Sequence, residues 1–331
     1  MSTTWHSDVL GDDFQQRTLP LPDGAEATLV RHVPSTTDGP PRRVAVLYVH
    51  GFVDYFFHPH VARALADAGY AFYAVDLRGF GRSLAAHTAA GGDPNLVADL
   101  GLHAQDLDVA AATVRAQGHE RLVVLGHSMG GLVTTLWAAG RAGRADALVL
   151  NSPWFDLNEN WLKRVPVTRV LDVVGRIAPR LVVGGLHPHY GTALHAATGG
   201  EWDFDLGWKP HEGFPVRAGW IRTVRRGQRR INGGAADVAV PTLVLASGRT
   251  GSHTKHHDGL LTTDSVLAVE HVRAGARRIG ADVRFVEIEG GAHDLALSPS
   301  PARERYLEAV TDWLRERVPP GPGQPKSSAA R

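Results

Sequence analysis

The chain has 331 residues, 43% hydrophobic and 21% charged, which supports a sizeable buried core and fits one α/β domain carrying a large insertion. A net charge of +1 gives the whole molecule no nucleic-acid or membrane signature, and the lack of cysteine excludes disulfides, thiolate metal sites and a cysteine nucleophile. The first ten residues have neither a basic nor an apolar leader region and no run of eighteen apolar residues exists, so a cytoplasmic location without a membrane span is expected.

In chain order, residues 1–15 read as a loose polar segment, and 16–21 and 25–32 as short strands around the turn Pro22-Asp23-Gly24. The unbroken apolar run Val44-Ala45-Val46-Leu47-Tyr48-Val49 is typical of a strand buried on both faces, and it ends in His50-Gly51-Phe52. A helix over about 59–69 opens on proline and closes on glycine. Strand 71–75 runs into Asp76-Leu77-Arg78-Gly79-Phe80-Gly81-Arg82-Ser83, and a helix over 99–118 follows. Next come the apolar run 122–125, the glycine-rich stretch Gly126-His127-Ser128-Met129-Gly130-Gly131, a helix, and strand 147–150. From 155 to 240 the alternation stops, and tryptophan, histidine and arginine accumulate. It resumes with strand 242–246, a helix from about 264 to 280, strand 283–288 and a closing helix over 301–318. Alternating β–α units specify a mostly parallel central sheet with helices on both faces. A structureless loop as long as 155–240 is improbable, so that segment reads as an inserted cap or lid. The expected division is a core over 1–154 and 241–318, the cap over 155–240, and a disordered Pro/Gly/Ser tail over 319–331.

The stretch Gly126-His127-Ser128-Met129-Gly130 fits G-x-S-x-G, with a buried strand before it and the helical stripe Leu132, Val133, Leu136 and Trp137 after it. Strand, sharp turn and helix together make a nucleophile elbow: Ser128 is forced into an exposed, strained position at a helix N-terminus that favours developing negative charge. A serine hydroxyl needs a base, and the base needs a third group to fix its tautomer. Among 18 histidines, His293 stands out because Gly290-Gly291-Ala292-His293-Asp294 directly follows the last strand, at the sheet edge where open α/β sheets bind ligands. The acid is expected after strand 242–246, where Asp264 and Asp258 compete. Asp264 is preferred, since it opens the predicted helix with Val266, Val269, Val272 and Ile279 facing the core. Asp282 and Asp294 flank the wrong elements. The oxyanion donors are the backbone N–H groups of Met129, which follows the nucleophile, and of Phe52 in the loop after the first core strand; His50 is read as a buttress of that loop.

Two further clusters carry weaker signals. His253, His256, His257 and Asp258 lie on a Gly/Ser/Thr loop without a firm zinc pattern, so a solvated loop is expected and no metal. In the cap, Val216, Trp220, Val224 and Ile231 fall at helical spacing, while Arg217, Arg222, Arg225, Arg226, Arg229 and Arg230 occupy mainly other faces. That pattern describes a core-packed helix with a basic side, which would allow weak contact with anionic lipid.

Taken as a set, His50-Gly51, Asp76-x-Arg78-Gly79-x-Gly81-x-Ser83, Gly126-His127-Ser128-Met129-Gly130-Gly131, Asp264-Ser265-Val266 and Gly291-Ala292-His293 resemble the α/β-hydrolase superfamily. The similarity is to its monoacylglycerol lipase, lysophospholipase and serine aminopeptidase-like branch, and it covers about 44–318 without the cap. It implies the α/β-hydrolase fold, a structural role for residues 76–83, no cofactor, and a small-molecule ester or monoacyl lipid as substrate. The acid of this branch usually sits close to its strand as G-x-x-D, whereas Asp264 lies well beyond Ser247-Gly248. The expected activity is a serine carboxylic-ester hydrolase working through an acyl-enzyme. An aminopeptidase-like, thioester or C–C hydrolase would use the same triad, and an acid in the cap, from Glu201, Asp203, Asp205 or Glu212, would mark the aminopeptidase. Dehalogenase and epoxide hydrolase chemistry would need aspartate where Ser128 stands, and a non-catalytic binding protein would normally have lost a triad member.

Overall fold

The computed structural model describes residues 4–34, 42–157 and 172–321. Its central strands form on nearly unbroken apolar runs. The strands β1 (His6–Asp8), β2 (Gly11–Pro20), β3 (Glu26–His32), β4 (Val44–Val49), β5 (Ala71–Asp76), β6 (Arg121–His127), β7 (Ala147–Asn151), β10 (Thr242–Ser247) and β11 (Val283–Ile288) make one sheet. Their spatial order is β1-β2-β3-β5-β4-β6-β7-β10-β11. The six strands from β5 to β11 in that order are parallel, and β1 to β3 extend the sheet as an antiparallel edge.

Strand β4 shows why the central runs are apolar throughout. Ala45, Leu47 and Val49 feed one core and Val44, Val46 and Tyr48 the other, so every residue of the strand is buried. Helices α3 (Leu100–Arg115), α4 (Met129–Gly140) and α7 (Val269–Ala276) cover the first face, and α1 (Pro59–Asp67) and α8 (Ala302–Arg317) the second. A short helix, α2 (Leu84–Ala89), follows the segment 76–83. Asp99 caps α3 by accepting a hydrogen bond from Gly101 N, and proline opens α1 as expected.

Two readings need correction. Residues 1–15 are not loose along their described length: β1 pairs with β2, which starts at Gly11, and Phe14 is fully buried against Phe56 and His32. The Asp8 carboxylate grips Arg82 at 2.7 and 2.8 Å, a tie between remote residues that local polarity conceals. The helix expected from 264 begins only at Val269; residues before it form a loop turned by Asp264 itself, whose Oδ1 accepts from Val266 N and Leu267 N.

Segment 76–83 ties the hairpin β2–β3 to the sheet, with Arg78 paired to Asp23 in the hairpin turn and the Ser83 hydroxyl 2.9 Å from that of Thr28. Asp76 Oδ1 accepts from Phe56 N, its Oδ2 from Arg82, and Arg78 pairs with Asp106 at 2.7 Å. Between β7 and β10 the described residues contain the ribbon β8 (Val182–Gly184) with β9 (Val216–Arg217), and helices α5 (His189–Leu194) and α6 (Ala218–Asn232). The apolar stripe of α6 is Trp220, Ile221, Val224 and Ile231; Val216 falls just outside the helix, in β9. Helix α6 packs on α3 and α4, with Thr223 Oγ1 accepting from Leu100 N. The expected tail lies outside the described residues from 322 onward. No helix of the described residues is long and apolar enough to cross a membrane.

Candidate active site

Strand β6 delivers the elbow. Ser128 sits at φ 51° and ψ −114°, a backbone conformation a non-glycine residue rarely adopts, between the strand and the first turn of α4. The flanking glycines follow from packing. A Cβ at Gly126 would stand 2.8 Å from Gly130 O, and one at Gly130 only 2.4 Å from the carbonyls of Val49 and His50.

Loops at the same edge of the sheet bring the expected partners to Ser128. His293 Nε2 lies 3.0 Å from Ser128 Oγ, placed to accept its proton. On the other side of the ring, Nδ1 donates to Asp264, 3.0 Å from Oδ1 and 3.1 Å from Oδ2. All three residues are buried, Asp264 completely. Asp258 is exposed and takes no part; Asp282 pairs with Arg317 at the surface. Asp264 reaches His293 in spite of its distance along the chain from β10, because Asp264 N donates to Arg249 O and Gly251 N to Asp264 O. These backbone bonds fold the intervening loop so that Asp264 returns to the end of β10.

The loop after β4 lies against the elbow. A Cβ at Gly51 would come within 3.3 Å of Ser128 Cβ, so the backbone at Phe52, like that of Met129 at the start of α4, borders Ser128. His50 is fully buried, donates from Nδ1 to Gly51 O at 2.7 Å and accepts from Leu77 N at 3.1 Å. Burial lowers its pKa and keeps the ring neutral for this double role. Val53 is held at φ 50°, unusual for a β-branched residue, with its N–H on Asn95 Oδ1. The Phe52 ring stacks on Trp220 of α6, with centroids 4.0 Å apart.

Several residues at the site escaped the sequence reading. Asp54 Oδ2 accepts from Gly51 N at 3.1 Å, while its Oδ1 takes the Lys209 ammonium at 2.7 Å, so the segment after β7 pins the loop through a charge pair. Burial opposes ionisation of Asp54, but Lys209 and the imidazole of His58 keep its carboxyl below the ordinary range. A lone carboxylate inside Phe52-Val53-Asp54-Tyr55-Phe56-Phe57 was the available signal; nothing local marks Lys209. Asp294 anchors the loop that carries His293, accepting from Asn151 Nδ2 at 2.8 Å and from His58 Nε2 at 3.0 Å. Tyr190 supplies a third tie, its hydroxyl accepting from Asp294 N. A cavity of about 290 Å³ opens from Ser128. Phe52, Trp154, Leu157, Leu260, Val266 and Leu267 give it apolar wall, and Lys209 and His211 polar points.

Buried histidines make the fold acid-sensitive. Burial pushes His127 down to about 4, against the pull of Asp294, and burial with the neighbouring His58 does the same to His60. In the unfolded chain both take a proton near 6.5. Between these values the unfolded state binds more protons, so stability drops as the pH is lowered, by up to about 1.4 kcal/mol per unit for each group. Asp294 extends the loss to lower pH. Burial raises its pKa, but the imidazoles of His127 and His58 outweigh that and hold the carboxyl well below the usual range, so its stabilising charge is lost only in strong acid. The urea midpoint is therefore expected to be lower at pH 5 than at pH 7; equal midpoints would contradict this assignment.

The sequence profile described as serine aminopeptidase, S33, matches residues 40–299. The chain belongs to this family. Over 155 residues it is 35% identical to a monoacylglycerol lipase of Mycolicibacterium smegmatis, a match that takes in 46% of this chain and spans about half the length, 51%, of that relative. Solved structures agree on the fold. The monoacylglycerol lipase of Paleococcus ferrophilus superposes with a TM-score of 0.63 at 20% identity, over 84% of this chain and 96% of that one. A thermostable carboxyl esterase from Bacillus coagulans gives 0.65 at 16% identity, over 93% and 99%. The architecture is that of an α/β hydrolase, as the motifs implied.

Proposed function

We propose that the protein is a serine carboxylic-ester hydrolase acting through an acyl-enzyme on a monoacyl lipid or a comparable medium-chain ester. The observation that carries this is the continuous hydrogen-bonded relay Ser128–His293–Asp264 at the end of an apolar-walled cavity. His293 takes the Ser128 proton as Oγ bonds to the acyl carbon. Asp264 holds the Nδ1 proton and stabilises the imidazolium, and the N–H groups of Phe52 and Met129 face the oxyanion. His293 then returns the proton to the departing alcohol. Water, deprotonated by the same imidazole, releases the acid and restores Ser128. Residues 172–240 of the expected cap act as the lid of this cavity and contribute Leu186, Tyr190 and Lys209 to its wall.

The surroundings favour an ester over an aminopeptidase substrate. Among the described residues none of Glu201, Asp203, Asp205 and Glu212 lines the cavity, and Glu201 is taken by Arg303 at 2.6 Å. Of the two described carboxylates that do line it, Asp54 already carries the Lys209 ammonium where a substrate amine would bind, and Asp294 is held by Asn151 and His58. This reading does not require anionic lipid; of the arginines on and before α6, Arg217, Arg225, Arg226 and Arg229 pair with Asp93, Asp156, Asp99 and Asp172. The test compares a monoacylglycerol and a p-nitrophenyl octanoate with an aminoacyl p-nitroanilide. Turnover confined to the esters is expected; efficient amide cleavage without ester cleavage would overturn the reading.

A further inference from the structure

At the mouth of the cavity the fold gathers histidines that lie far apart in sequence. His187 and His189, just before and at the start of α5, face His253 and His256 of the loop between β10 and Asp264. The ring centroids stand 6.3 Å apart for His187 and His189, 6.5 Å for His187 and His253, and 6.0 Å for His189 and His256. The third histidine of that loop has a different task. His257 is bound within its own loop, accepting from Ser252 N at Nε2 and from Gly259 N at Nδ1, while the rings of 253 and 256 lie against those of His187 and His189. Sequence alone gives only two short pairs, H-x-H and H-x-x-H, each too weak to claim a ligand; folding sets one against the other.

We infer that these four imidazoles form a site for a first-row transition metal ion of the Zn²⁺ class, which clips the segment after β7 to the loop carrying the triad acid. Imidazole nitrogen is a favoured ligand of such ions, and four of them satisfy tetrahedral coordination without a charged residue. Two imidazoles on one tetrahedral zinc, with Zn–N about 2.1 Å and the ring centre about 1.1 Å further out, hold their centroids about 5.2 Å apart. The three neighbouring separations, 187–189, 187–253 and 189–256, exceed this by about 1 Å, so the rings are adjacent but must turn about their side-chain torsions to meet on one ion. His187, His189 and His253 also line the cavity that opens on Ser128, so an ion bound there narrows the entrance. The expected consequence is reversible inhibition of the hydrolase activity proposed above, a consequence that rests on that reading, whereas the site itself does not.

The test is calorimetric titration of Zn²⁺ into the full chain, purified without a histidine tag, beside His187→Ala and His253→Ala. Visible absorption of the Co²⁺-loaded protein reports the coordination geometry. One ion per chain, tetrahedral Co²⁺ bands, and affinity weakened by more than about a hundredfold in both variants are expected, about a hundredfold being the most that loss of an outer-shell partner alone removes. Thermal melting of each variant without metal verifies that the substitution left the fold intact. Absence of binding to wild type, or binding retained in both folded variants, overturns the site. Neither result touches the hydrolase reading, because no substrate is present; that reading fails separately if wild type without metal turns over no ester.

Discussion

Replacing Ser128 with alanine is expected to lower kcat for ester hydrolysis by about 10⁶, the scale of loss when the nucleophile of a serine triad is removed. The fold should survive. The hydroxyl makes a single described side-chain hydrogen bond, to His293, and the strained φ of 51° is imposed on alanine as much as on serine. In the proposed mechanism the loss is this large because His293 and Asp264 would act only through Oγ: without it the base has no nucleophile to activate, and only binding and the oxyanion donors remain. A steady-state assay on purified variant, with its melting temperature beside that of wild type, checks this. A loss below about tenfold in kcat would show that Ser128 is not the nucleophile.

Asp264→Asn is expected to lower kcat by about 10⁴ while Asp258→Asn changes it little. Asparagine is nearly the same shape, and its oxygen can still accept from Val266 N and Leu267 N, so the loop should hold. Its amide, however, offers an N–H to His293 Nδ1. That favours the tautomer with the proton on Nε2, which cannot accept from Ser128, and it withdraws the charge that stabilises the imidazolium. Asp258 is solvent-exposed, far from this relay in hydrogen-bonding terms. Paired kcat measurements decide the matter, and a collapse in Asp258→Asn with Asp264→Asn unimpaired would exchange the two roles.

The parts of this molecule that were legible in sequence are those where one local pattern and one physical cause coincide. Buried parallel strands need continuous apolar runs, which exposed β4, β6 and β10. The elbow needs small residues on both sides of Ser128, because backbone carbonyls approach within 2.8 Å of where a side chain would begin. His293 was legible because a glycine-rich turn directly after the last strand leaves few places for its side chain to go. What stayed hidden depends on residues brought from elsewhere. Asp8 and Arg82, Asp54 and Lys209, and His58 and Asp294 are separated by long stretches of chain, and no periodicity announces such pairs. The helix start misplaced at 264 had the same origin. Aspartate before an apolar stripe is a good N-cap signal, yet here its oxygens turn a loop and meet His293, and α7 begins only at 269.

The most direct measurement is reaction of the wild-type protein with a fluorophosphonate probe, followed by mass mapping of the adduct. A single covalent phosphonyl adduct on Ser128, absent from Ser128→Ala, is predicted, since only a serine activated by His293 and faced by oxyanion donors attacks phosphorus at a useful rate. A folded wild-type protein that takes up no probe, or that takes it up at another residue, would contradict the account at its centre.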